Sequence, residues 1–261
     1  MLLTFVLRNI RKRLSLNLIK VAGLALGLTG ILLIILFLKN ELSYDSFHSK
    51  ANRIYRFTTT DPSFLSNSHF ARVYNSEDIP GFAASFPEIE SFVRLAPIRG
   101  GFMLYNEKYY TIDEAFQCDS TFFRIFDARL LTGDSQKVLE DPGSMVISQS
   151  FARRVFGSAD PVGEVISIPP GQYYGEKTDF TIRGVMEVFP QKSHFHPDLG
   201  ITPAKGSVNW WAFVYLLLTE NGDPQKIING YPGYLSTIAK RPIEDIETKA
   251  HLQKITDIHL K

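Results

Sequence analysis

The chain has 261 residues, a net charge of +1 at neutral pH, 13% aromatic residues and one cysteine, Cys118. A near-neutral balance with no long basic stripe beyond the N-terminal segment argues against nucleic-acid binding, and a lone cysteine excludes an intrachain disulfide. The aromatic content suits a folded core, in which Cys118 is expected to be a small buried hydrophobe.

Leu2, Leu3, Val6, Leu7, Ile10, Leu14 and Leu18 recur at three- and four-residue steps, with Arg8, Arg11, Lys12 and Ser15 on the other face. This spacing predicts an amphipathic helix over residues 1–17, its basic face toward anionic lipid headgroups. No charge lies between Lys20 and Lys39. As a helix, Val21–Leu38 would be about 27 Å long at roughly 1.5 Å per residue, against a hydrocarbon core of about 30 Å. Adding the apolar residues on the near side predicts a single transmembrane helix over 18–38 in contact with the lipid bilayer. Arg8, Arg11, Lys12, Arg13 and Lys20 precede the span, whereas Lys39, Glu41 and Asp45 follow it. The positive-inside rule puts the N-terminus in the cytoplasm and the main domain outside. No small-x-small cleavage site follows, which favours an anchor over a cleaved signal. Gly23-x-x-x-Gly27 would let another helix approach closely.

From Lys39 to Lys50 the spacing predicts that the helix continues outward as a stalk. Tyr44, Phe47 and His48 would sit where the stalk enters the domain 39–261 and anchor it by packing. Alternation predicts a strand at Arg53–Thr60. A helix is expected over Asn75–Phe86, strands over Phe92–Pro97 and Gly101–Tyr105, and another over Tyr109–Gln117, partly broken by Asp113–Glu114. Asp119 or Ser120 would cap a short helix through Phe126. A loop over Thr132–Gly143 leads to a strand at Ser144–Ile147. Ser148 would cap the helix Gln149–Phe156, which Gly157 closes. Strands follow at Gly163–Ile168 and Asp179–Val188. Trp210–Thr219 is the strongest strand candidate, and a helix from Asp223 or Pro224 toward Ala239 is expected to be interrupted at Gly230-Tyr231-Pro232-Gly233. Strands interleaved with few helices give an α+β class with a mixed sheet.

Motifs that would carry chemistry fail on spacing. Gly171–Thr178, GQYYGEKT, has three residues between its glycines and Glu176 before Lys177, so it does not match a phosphate-binding loop. His194, His196 and Asp198 would share one face if they lay on a strand and could then converge on a metal; a polar, proline-flanked stretch reads better as a loop. Asp113–Glu114 and Glu140–Asp141 are adjacent pairs whose members point to opposite faces of a strand. No catalytic, cofactor-binding or metal-binding residues are assigned, and no enzyme activity is expected.

The segment ELSYDSFHSKANRIYR, directly after a membrane helix, resembles the start of the periplasmic region in ABC transporter permeases of the FtsX/MacB type. FVLRNIRKRLSLNLIKVAGLALGLTGILLI is similar to that family's cytoplasmic elbow helix and first membrane helix. FPEIESFVRL, CDSTFFRIFDARLLTGD, MVISQSFARRVFGSADPVGEVI, FTIRGVMEVFPQKSHFHPD and LQKITDIHL resemble pieces of the MacB-like periplasmic core domain, in order. The resemblance implies a porter-like part with a smaller inserted part, placed here around Gly133–Phe195. It implies a location in the bacterial inner membrane with the domain in the periplasm. The partners it implies are a separate ABC ATPase subunit, a permease dimer partner and further membrane helices beyond Lys261. It implies mechanical coupling of ATPase-driven helix motion to export or to lipoprotein and envelope handling. The competing readings are a single-span sensor or scaffold ectodomain, and a membrane-anchored enzyme.

Overall fold

The structure is a computed structural model that describes residues 14–60, 73, 76–98, 101–169, 177–203 and 211–259. The chain divides into two compact units, the first ending at Ser43 and the second running from Tyr44 to His259. Of the amphipathic segment expected over 1–17, residues 1–13 lie outside the described residues.

Among the described residues the first unit consists of one helix, α1 (Leu14–Glu41). From Leu18 to Leu38 its large apolar side chains are exposed, as at Leu26 and Ile19. A helix apolar on every side has no water-facing stripe, which is the pattern of a segment solvated by lipid. All its interior backbone groups bond within the helix, as a hydrocarbon surround requires. Leu18–Glu41 is long and apolar enough to cross a membrane. Gly23, Gly27 and Gly30 leave open space where a Cβ would stand.

The second unit is built on a mixed sheet. Its strands are β1 (Ile54–Thr60), β2 (Ile89–Ile98), β3 (Gly101–Tyr105), β4 (Lys108–Ile112), β5 (Ala115–Cys118), β6 (Leu130–Thr132), β7 (Ser144–Ser148), β8 (Val165–Ile168), β9 (Thr178–Met186), β10 (Leu199–Ile201), β11 (Phe213–Leu218) and β12 (Lys249–Lys254). They run in the order β12-β1-β11-β2-β5-β10-β7-β9-β8-β3-β4, with β6 alongside β9. The β5–β10 and β7–β9 pairs are parallel, and the other neighbours are antiparallel.

Alternation along the central strands feeds two apolar layers, because successive side chains point to opposite faces. On one face, Ile54, Val93, Leu95, Tyr215 and Leu217 meet Phe122, Phe126, Phe189 and Phe195. On the other, Phe57, Val214, Leu216 and Leu218 meet the helices α2 (Ile79–Ala84) and α5 (Pro224–Ala239) through Phe82, Ile227 and Tyr231. Phe57 lies 5.0 Å from Phe82 and 5.1 Å from Tyr231, ring centre to ring centre. Burial of β11 on both faces explains why the expected strand reads as an apolar run rather than an alternating one; its first expected residue, Trp210, lies outside the described residues.

A separate core lies under the helix α4 (Gln149–Phe156), where Met103, Met145, Ile147, Phe151, Ile166, Phe180 and Ile182 pack. Ser148 accepts the Phe151 amide at 3.2 Å and Gly157 ends the helix at φ +65°, matching the capping read from sequence. This core is not confined to the expected Gly133–Phe195 segment, since Ile98, Met103, Ile112 and Ala115 also enter it. Just past the acidic pair between β4 and β5, Ala115 still packs in this core and Phe116 enters the first. At the pair itself the Asp113 amide donates to Asp198 Oδ2 at 2.9 Å and the Asp198 amide to the Glu114 carbonyl at 2.7 Å. The break in the expected Tyr109–Gln117 strand is thus fixed by bonds to Asp198, and the chain passes to the first core one residue into β5.

Three further expectations change. The helix stops at Glu41 instead of continuing as a stalk, and turns occupy residues 42–53. α5 runs unbroken through Gly230–Gly233, because a Cβ at Gly230 would lie 2.5 Å from the Phe86 ring and Tyr231 is buried against Phe57 and Phe82. Packing there outweighs the low helix propensity of glycine and proline. Asp119 does not cap the helix α3 (Phe122–Ile125), whose N-cap is Thr121 with no side-chain cap bond. Asp119 instead grips Arg94: Oδ1 receives Nη2 at 2.6 Å and Oδ2 receives Nε at 2.9 Å, while Arg94 Nη1 donates to the Ser76 carbonyl at 3.1 Å.

Arg94 is buried, so Asp119→Ala strands a guanidinium and should lower unfolding stability by about 3 kcal/mol in chemical denaturation. Replacing both residues by leucine-sized apolar side chains should cost much less; equal losses would contradict this assignment. Cys118 is 1% exposed, and burial raises its thiol far above the usual range. A disulfide reagent should therefore leave it unmodified at pH 8 until denaturant is added, and fast labelling of the folded chain would disprove the burial.

Candidate functional site

Residues Tyr44–Ala51, the start of the domain, are fastened to it by a buried polar clasp. Asp45 is fully buried and adopts the left-handed conformation at φ +54°. Aspartate tolerates that region better than most residues, and here it turns the chain inward. Its amide donates to the Lys192 carbonyl at 2.8 Å. Its Oδ1 accepts the His194 amide at 3.2 Å and the Ser193 hydroxyl at 3.4 Å. His194 Nδ1 stands 2.9 Å from the same oxygen, off the line of a straight hydrogen bond. On its other side, His194 Nε2 shares a 2.7 Å hydrogen bond with the Tyr215 hydroxyl on β11. Burial pushes the Tyr215 phenol above its ordinary range, against the opposing pull of Arg56, so it stays protonated. One turn region, one loop and one central strand therefore meet at a single carboxylate.

A second set of bonds forms beside the first. His48 is 3% exposed and packs against Phe47, Phe126 and Phe189 at ring distances of 4.0, 5.5 and 6.4 Å. Its Nδ1 accepts the Asp127 amide at 3.1 Å, and the Ser49 amide donates back to the Asp127 carboxylate. Burial lowers the His48 imidazole to about 4, outweighing the upward pull of Asp45 and Asp127. Lys50 Nζ donates to the Arg124 carbonyl at 2.7 Å, and Tyr44 stacks on His259 at 3.5 Å. Ala51 and Ile54 then enter the first core.

The arrangement offers hydrogen-bonded attachment rather than covalent chemistry. Its polar groups sit in a dry, aromatic surround, where each satisfied bond is strengthened and each orphaned group is costly.

Tyr44, Phe47 and His48 are where the sequence put the anchor, and each packs against the domain. Asp45 was missed: it read only as a charge flanking the membrane span. The available signal was an aspartate framed by Tyr44 and Phe47 in a short turn, where a left-handed residue suits the chain reversal. Of the H-x-H pair and Asp198, only His194 joins the clasp. The His196 amide donates to Glu114 Oε2 at 2.6 Å and its Nε2 lies 3.0 Å from the Pro190 carbonyl oxygen. Asp198 pairs with Arg154 at 3.2 Å. Residues 193–198 are irregular, so two-residue spacing does not put them on one face. Among the described residues no group of three or more metal-binding side chains is gathered. Of GQYYGEKT, residues 171–176 lie outside the described residues.

The family model described as the MacB-like periplasmic core domain matches residues 18–229. No curated protein matches the chain. Among solved structures, a domain of a protein described as a permease from Porphyromonas gingivalis superposes with a TM-score of 0.60 at 18% identity, covering 79% of this chain and 92% of that one. The periplasmic region of MacB from Actinobacillus actinomycetemcomitans gives 0.54 at 11% identity, covering 80% and 92%. The extracellular domain of the noncanonic ABC-type transporter YknZ from Gram-positive bacteria gives 0.53 at 13% identity, covering 77% and 99%. These likenesses concern the fold, and the match over 18–229 carries the assignment: the chain belongs to the MacB-like periplasmic core domain family of ABC transporter permeases.

Proposed function

We propose that this chain is the N-terminal portion of an ABC transporter permease, acting as a non-catalytic part that passes ATPase-driven motion of membrane helices to the periplasm. The observation that carries the reading is the single family match that runs without a break from the apolar helix into the domain. The helix ends at Glu41, and a few residues later the chain is fixed at Asp45. A chain clasped so soon after a membrane span has little slack, so displacement of the span is delivered to the sheet rather than absorbed in a loop. The basic residues Arg8, Arg11, Lys12 and Arg13 support a cytoplasmic N-terminus and a periplasmic domain in the inner membrane.

On this reading the working unit includes a separate ABC ATPase, a second permease copy and additional membrane helices. The task it serves is export, or handling of lipoproteins and other envelope components. The domain itself supplies binding surface and motion transfer, and no residue of it acts as a catalyst.

Affinity purification of the full chain from native membranes should recover an ABC ATPase subunit in stoichiometric amount. Recovery without any ATPase would favour a single-span sensor or scaffold. In the assembled transporter, Asp45→Ala should cut transport about tenfold, a coupling loss of about 1.4 kcal/mol, while ATP hydrolysis stays within about twofold. Parallel loss of hydrolysis and transport would point to misassembly instead of uncoupling. An alkaline phosphatase fusion after His259 should be active and one before Leu14 inactive; the reverse pattern would overturn the orientation.

A further inference from the structure

His48 holds a proton acceptor where the fold needs one. Its Nδ1 receives the Asp127 N–H, so that nitrogen is unprotonated and the neutral ring carries its hydrogen on Nε2. Nε2 is buried and has no hydrogen-bond partner among the described residues, and the same holds for Asp45 Oδ2. The groups that face His48 are Asp45 on its own segment, Asp127 after α3 and His194 between β9 and β10, with Phe47, Phe126 and Phe189 completing the surround. Asp127 is engaged by the Ser49 amide, and Asp45 Oδ1 by Ser193 and His194.

We propose that the clasp is proton-gated: a proton taken from solvent onto His48 Nδ1 turns the acceptor of the Asp127 amide into a donor, breaks that bond and releases residues Tyr44–Ala51 from the body of the domain. The proton fills the Nδ1 lone pair and the ring becomes a cation. Two N–H groups then oppose each other across what is now a 3.1 Å contact. The charge enters a site walled by aromatic rings, where burial disfavours it more than the two carboxylates favour it. Once the segment opens, the ring is hydrated and takes the proton readily.

The linkage has a definite sign. The closed clasp binds the proton with a midpoint of about 4, whereas an open, hydrated histidine has about 6.5. Acid therefore favours the open form, and the closed form is regained as pH rises through about 6.5. Between pH 8 and pH 5 the opening equilibrium should rise about thirtyfold. The opening itself follows from the Nδ1 hydrogen bond and the burial of His48. Its consequence for coupling, that the chain after the membrane helix loosens in an acidic exterior, rests on the permease reading. Amide exchange of the clasp needs no transport and so decides the opening separately from that reading.

The test is hydrogen–deuterium exchange on the full chain in lipid nanodiscs, at pH 8 and pH 5, normalised for intrinsic exchange. The amides of Ser49 and Asp127 should open about thirtyfold more often at pH 5, while the β11 amides stay protected. In His48→Asn the side-chain oxygen takes the place of Nδ1 but does not titrate, and the pH dependence should vanish. An unchanged opening constant in the native chain, or the same slope in His48→Asn, would overturn the proposal. NMR titration of the His48 ring in the native chain gives a second decision that needs no variant. A midpoint below 5 supports the gate, and one near 6.5 in the closed protein refutes it.

Discussion

Asp45 is the contact on which the start of the domain depends. It is the one buried carboxylate that the chain presents on entering the domain, and it receives bonds from the loop between β9 and β10 while His194 relays it to Tyr215 on the central strand β11. A buried carboxyl group is tolerated only when hydrogen-bond partners surround it. This one has the His194 amide, the Ser193 hydroxyl and the His194 ring nearby, and its left-handed backbone leaves its own amide free to bond Lys192. Remove any one of these and the others are left with unsatisfied partners in a dry site, so the clasp behaves as a unit rather than as a set of independent bonds.

The rest of the domain gives the clasp something rigid to hold. Tyr215 belongs to β11, which lies between β1 and β2 and is apolar on both faces. Asp127 follows α3, which seals the first core with Phe122 and Phe126. The Arg94–Asp119 pair, itself largely buried, ties β2 to the end of β5. Asp45, His48 and Lys50 are therefore joined to the body of the domain through groups that are packed and hydrogen-bonded. The second core, joined by the short parallel pairing of β5 with β10, lies farther along the sheet order from β1 and β11.

Much of this was legible from residues alone, and the physical reasons divide cleanly. The apolar helix could be read because lipid imposes an uninterrupted apolar run, the strand around Phe57 because apolar and polar residues alternate along it, and the strand around Val214 because two-sided burial leaves a dense apolar signature. Ser148 and Gly157 announced α4 through local capping chemistry. β12, with its sequence KAHLQK, was invisible because it is an edge strand paired only with β1 among the described residues, so it carries little apolar pattern. Glycine and proline propensity alone breaks α5 at Gly230–Gly233, and the Phe57–Phe82–Tyr231 packing that overrides it is tertiary. Local spacing makes Asp119 a cap candidate, whereas its actual partner Arg94 is distant in sequence. The clasp was half legible: aromatic packing at Tyr44, Phe47 and His48 could be inferred from composition, but the pairing of Asp45 with His194 required a tertiary contact across the whole domain.

The central claim, that residues after the membrane helix are locked to the body of the domain, can be read as one distance. Spin labels at the exposed positions Ser46 and Ser135, introduced as cysteines in the assembled transporter at pH 7.5, report it directly by double electron–electron resonance, with Cys118 silent in the core. The account predicts a single narrow distribution that does not change when ATP is turned over. A broad distribution, or one that shifts with nucleotide, would contradict it.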